Sequence, residues 1–121
     1  MSGPLAALAA VAALSHVPYE SVAVKPLGAG QVGGRIMYHA VTPGTHVESR
    51  LTGVPAGATV RILLHAGTCR RHGASYAVVV GGRLLFHRSP VPIATVADGK
   101  HVFSVVVNGR EVGCAAIPGI N

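Results

Sequence analysis

Past residue 20 the chain alternates apolar and polar positions in short stretches divided by glycine and proline. Over residues 46–52 the alternation is strict, with Val47, Ser49 and Leu51 on one face and His46, Glu48, Arg50 and Thr52 on the other. That is the period of a half-buried antiparallel strand. Residues 59–65 repeat it, setting Val60, Ile62 and Leu64 opposite Arg61, Leu63 and His65. Leu63 and His65 therefore share the face turned away from Ile62 and Leu64. Upstream, residues 21–27 alternate around Val22 and Val24 and end at the turn Gly28-Ala29-Gly30. Residues 32–41 predict a further strand, weakened or bent by Gly33-Gly34. Thr42-Pro43-Gly44-Thr45 and Gly53-Val54-Pro55-Ala56-Gly57 supply turns between the strands.

The second half predicts two hairpins. Residues 74–80 and 83–87 flank Gly81-Gly82, and residues 101–107 and 110–117 flank Asn108-Gly109. Both dipeptides suit the positive φ angles of two-residue hairpin turns. Ser89-Pro90-Val91-Pro92 between them reads as a loop or edge crossing, and Asp98-Gly99 as another turn. About eight strands at short, regular spacing predict one all-β antiparallel domain over residues 21–121, a sandwich or barrel.

Residues 1–20 have a different pattern. The run LAALAAVAAL over residues 5–14 is too short to span a bilayer and is composed of strong helix formers, with Pro4 suited to a first helical turn. No Lys or Arg precedes it, as the start of a signal peptide requires. An apolar arm that docks through Leu5, Leu8, Val11 and Leu14 on its own domain or a neighbouring subunit is the expectation, ahead of a signal peptide.

Composition changes the picture in two ways. Half of the residues are hydrophobic but only 4% are aromatic, so the core is expected to be built from Val, Ala, Leu and Ile. Ten Lys and Arg against four Asp and Glu give a formal charge of +6, which invites an anionic partner. The basic residues are scattered, with Arg70-Arg71 the only adjacent pair, and aromatics for base stacking are few, which argues against nucleic acid. No catalytic constellation is visible: Glu20, Glu48, Asp98 and Glu111 are far apart in sequence, and neither a G-x-S-x-G elbow nor a phosphate loop occurs.

Five stretches together carry a resemblance. Ser21-Val22-Ala23-Val24, Gly30-Gln31-Val32-Gly33-Gly34-Arg35-Ile36, Leu51-Thr52-Gly53-Val54-Pro55-Ala56-Gly57, Leu63-Leu64-His65-Ala66-Gly67-Thr68-Cys69 and Val112-Gly113-Cys114-Ala115-Ala116-Ile117 resemble successive strands and turns of the copper/zinc superoxide dismutase family. The resemblance covers residues 21–118 and implies a Greek-key sandwich of eight antiparallel strands. It also implies that Cys69 and Cys114 form the family's disulfide, closing about 45 residues. By chain entropy such a bridge contributes on the order of 4 kcal/mol. A disulfide in turn points to an extracellular setting or a particle surface.

The family's chemistry does not carry over. Of the H-x-H copper pair only His65 is present, Leu63 occupying the first position. Val105-Val106-Val107 stands where the last copper histidine belongs, and Asn108-Gly109 replaces the long loop that guides superoxide. Glu111 lies three residues before Cys114, where the family has arginine, with Arg110 one residue further back. Only Arg70-Arg71-His72-Gly73 remains of the zinc-bearing loop. The expectation is a non-enzymatic structural or interaction module with no cofactor and no small-molecule substrate. Its partners would be copies of itself or another structural protein, in a surface layer, a filament or the decoration of a virus capsid. The alternative is a secreted copper- or zinc-binding protein with a rebuilt site drawn from His65, His72, His87 and His101.

Overall fold

The computed structural model describes residues 20–28, 30–80 and 86–119, with residues 74–80 and 86–88 as backbone only. The expected arm through Leu5, Leu8, Val11 and Leu14 and the Gly81-Gly82 turn lie outside the described residues. Nine strand segments run in order: β1 (Glu20–Ala23), β2 (Lys25–Pro26), β3 (Gly33–Val41), β4 (Gly44–Thr52), β5 (Val60–Gly67), β6 (His72–Val80), β7 (Phe86–Ser89), β8 (His101–Val107) and β9 (Arg110–Ile117). One short helix, α1 (Ile93–Val96), interrupts them between β7 and β8.

The strands form two antiparallel sheets, one in the order β1-β3-β4-β7 and the other β2-β9-β8-β5-β6. Among the described residues no ladder closes them into a barrel, so of the two expected architectures the barrel is not formed. The single strand expected over residues 21–27 is split at Val24: β1 pairs with β3 in one sheet, and β2 pairs with β9 in the other. Val24 is buried at this crossing.

The alternation read from the sequence decides which side chains meet. Ile36, Tyr38 and Val47 from the four-stranded sheet pack against Ile62, Leu64, Phe103, Val105, Ala115 and Ile117 from the five-stranded sheet. Tyr38 and Phe103 touch edge to face across this core, ring centroids 5.7 Å apart. Burial, then the charge of Glu20, pushes the Tyr38 hydroxyl above its ordinary range. Val91 and Val96, from the segment that links β7 to β8, also enter the core, and buried Thr45 donates its hydroxyl to Val91 O at 2.7 Å. Polar groups there are thus bonded rather than stranded.

The two predicted hairpins fare differently. β8 and β9 pair from Val107 with Arg110 to His101 with Ile117, around a turn in which Asn108 and Gly109 have φ of 51° and 80°. β6 and β7 do not form a hairpin, because β6 joins β5 in the larger sheet while β7 joins β4 in the smaller one. A local turn signal says that the chain reverses, not which sheet receives it.

Candidate cation site at the disulfide

Cys69 and Cys114 are disulfide-bonded, Cα atoms 5.8 Å apart, and this bridge ties the turn after β5 to β9. His72 lies three residues after Cys69 and Glu111 three before Cys114, so the bridge brings two sequence-distant donors near His65. His65, His72 and Glu111 each offer a ligand atom, and these atoms lie within 4.8 Å of one another.

Each member is positioned by an identifiable local device. Parity along β5 puts His65 on the outer face, away from buried Ile62 and Leu64, yet it is 8% exposed because the following turn folds over it. That turn is closed by Thr68 N–H to Arg71 O at 2.9 Å and Arg71 N–H to Thr68 O at 3.2 Å, and Gly67 pairs with His72. Gly67 has φ of +115°, and a Cβ there would stand 2.4 Å from Arg71 O, so the closure requires glycine. The turn is thus tight enough for β6 to begin at His72, two residues before the strand expected over residues 74–80.

Glu111 is placed by a β-bulge. The register passes from Val105 opposite Gly113 to Val106 opposite Glu111, leaving Val112 as the extra residue. Simple alternation from Ala115 and Ile117 would have set Glu111 on the core face. The bulge instead sends Val112 to the core and Glu111 to the face shared by Ser104 and Cys114. Gly113 is needed at this point because a Cβ there would lie 2.7 Å from Val24 Cγ1.

The hydrogen bonds fix the imidazole donors. His65 Nδ1 lies 2.8 Å from Gly73 O and His72 Nδ1 lies 3.1 Å from Thr68 O. A carbonyl only accepts, so both Nδ1 atoms carry the proton, and each Nε2 can present a lone pair. Backbone carbonyls orient metal-bound histidines in this manner. His72 Nε2 is 2.8 Å from Glu111 Oε2, and Ser104 Oγ donates to the same carboxylate oxygen. With Nδ1 already donating, only a proton or a metal cation can favourably occupy the line between Nε2 and the carboxylate. The two rings meet edge to face, centroids 4.6 Å apart.

Two nitrogens and one carboxylate oxygen suit a borderline dication such as Zn2+, which binds such donors at about 2.0–2.2 Å in tetrahedral geometry. Tetrahedral donors then stand about 3.3 Å apart, so side-chain adjustments of about 1.5 Å would close the set. The copper centre that the family resemblance implies does not fit. Leu63 and Val105-Val106-Val107 supply no ligand, and two imidazoles do not make the several-imidazole set of a redox copper site.

The other sequence candidates lie elsewhere. His101 is on the core side of β8, opposite Ala66, and its Nδ1 is 2.8 Å from Asp98 Oδ1, outside the cluster. The His101 hydrogen bond, followed by contributions from Lys100, holds the Asp98 carboxyl below its ordinary range. His87 sits opposite Val47 in the four-stranded sheet, and its side chain lies outside the described residues. Glu111 was not among the expected ligands. Its only sequence signal is its place three residues before a cysteine, mirroring His72.

No protein-family model, curated protein or solved structure matches the chain. Among the described residues no helix is long and apolar enough to cross a membrane.

Proposed function

We propose that this chain is a non-enzymatic, disulfide-braced binding module on a superoxide-dismutase-like Greek-key sandwich, carrying a rebuilt divalent-metal site in place of the copper centre. The observation that carries the reading is the convergence of His65, His72 and Glu111 within 4.8 Å beside the Cys69–Cys114 bridge. Strand orders β1-β3-β4-β7 and β9-β8-β5-β6 support the Greek-key part, since β6 and β7 are consecutive yet lie in different sheets. The disulfide supports an extracellular setting or a particle surface. The missing imidazoles at Leu63 and Val107 support loss of dismutase activity.

The test is a titration of chelator-stripped protein with Zn2+ and, separately, Cu2+. The reading expects one zinc per chain, lost on H65A and on E111Q, and no dismutase activity above that of free copper after copper loading. Absence of stoichiometric metal, or metal indifferent to both substitutions, overturns it. The assembly role has its motive in the apolar run over residues 5–14. Light scattering on the full chain and on a chain beginning at Ser21 tests it, and an unchanged monomer in both ends that proposal.

A further inference from the structure

Asn108 is the only asparagine in the chain that is followed by another residue, and that residue is Gly109. The main-chain nitrogen after an asparagine can attack the side-chain amide carbon and close a five-membered imide. Glycine, with no Cβ, leaves that approach unhindered. The pair sits at the exposed tip of the β8–β9 hairpin, open to water, with φ of 51° and 80°. One neighbour sets this turn apart from a free Asn-Gly. Thr59, just before β5, holds Asn108 twice: Asn108 N–H donates to Thr59 O at 2.9 Å, and Thr59 N–H donates to Asn108 Oδ1 at 3.0 Å. The second bond draws the side-chain carbonyl across to the start of β5, towards the residue that already binds Asn108 N. Ring closure requires Cγ to swing the other way, onto Gly109 N, and so to break it.

We infer that Asn108-Gly109 is a self-modification site, kept silent by Thr59 in the folded turn and released when the turn opens. Gly109 N loses its proton to solvent base and bonds to Asn108 Cγ. The Cγ–Nδ2 bond breaks, and ammonia leaves with a proton taken from water. Water then opens the imide at either carbonyl. Attack at Cγ gives an aspartate at position 108, whose carboxylate still accepts from Thr59 N–H and whose short side chain tolerates positive φ. Attack at the main-chain carbonyl gives isoaspartate, which routes the backbone through Cβ and adds one carbon to the turn. Loop length fixes hairpin register, so the isoaspartate turn no longer matches the pairing of Val107 with Arg110. An opening of this hairpin is thereby written into the covalent chain. The inference stands apart from the metal site.

The experiment ages the full chain in mildly alkaline buffer, folded and in concentrated guanidinium chloride. Trypsin releases residues 101–110, which contain no other asparagine, and chromatography with mass spectrometry counts the amide, aspartate and isoaspartate forms. The folded chain is expected to lose the Asn108 amide about a hundredfold more slowly than the denatured chain. Hydrogen exchange at the Thr59 amide reads the same opening in the unaltered protein, and its protection should match that slowing within about threefold. T59P lacks the N–H that Oδ1 accepts and, while folded, should react about tenfold faster than the parent, about the weight of one hydrogen bond. The isoaspartate chain, once separated, should unfold at a lower denaturant midpoint than N108D. Equal rates in the folded and denatured chains overturn the inference. So does a slow folded chain whose Thr59 amide exchanges freely, or a folded T59P as slow as the parent, either of which assigns the slowing elsewhere. An isoaspartate chain as stable as N108D overturns the consequence for the hairpin.

Discussion

On the outer face of the four-stranded sheet His39 faces His46 across β3 and β4, ring centroids 5.1 Å apart; on the five-stranded sheet His65 and His72 lie 4.6 Å apart. The rings are almost equally close, so proximity of imidazoles does not separate the two pairs. What separates them is the company. Beside His65 and His72 stand a carboxylate and two backbone carbonyls that turn lone pairs inward. The His39 pair shares its face with Arg35 and Arg50, directly opposite each other in the ladder, while Glu48 is opposite Met37 and leans to Arg50. Among the described residues only the first pair belongs to a group of three metal-capable donors. On the proposed reading, what orients and neutralises a histidine pair, rather than the closeness of its rings, makes it a cation site.

The largest expected effect tests the bridge that assembles one pair and is absent from the other. C69S/C114S removes a cross-link across 45 residues and should cost on the order of 4 kcal/mol in denaturant unfolding, with zinc affinity falling too. Zinc affinity equal to that of the parent would separate the site from the bridge and weaken the comparison. Next, H65A should lower zinc affinity about a hundredfold, about 2.7 kcal/mol, while H39Q leaves it unchanged. Equal losses in calorimetric titration would mean that both faces bind metal. A smaller effect belongs to Ser104, which touches Glu111 but offers no ligand of its own. S104A should weaken zinc about tenfold, or about 1.4 kcal/mol, through a less well held carboxylate.

Half of this contrast was legible in the sequence. Alternation over residues 59–65 placed His65 on the outer face, and the family resemblance paired Cys69 with Cys114, as the bridge bears out. Asn108-Gly109 set its hairpin because turn geometry is local. Glu111 was hidden for a physical reason: the bulge at Val112 reverses the parity that sequence reading extends from Ile117. The sheet change between β6 and β7 was equally invisible, since it depends on which edge is free to receive β7. The helix Ile93–Val96 is too short to show a helical period.

The smallest expected effect concerns the His39 and His46 pair, which among the described residues belongs to no group of three metal-capable donors. Burial, and then the neighbouring His46, hold the His39 pKa below its ordinary value of 6.5. As pH falls through 6.5 the unfolded chain takes up a proton at this residue that the folded chain resists. Stability should therefore decline with falling pH over this window, and be indifferent to His39 titration well above it. H39Q removes that proton uptake, so its unfolding midpoint should depend less steeply on pH than the parent's between about pH 7 and pH 5. If zinc raised the parent midpoint more than that of H39Q, the His39 pair would be holding the ion. The distinction between the two faces would then have to rest on something other than the Glu111 carboxylate.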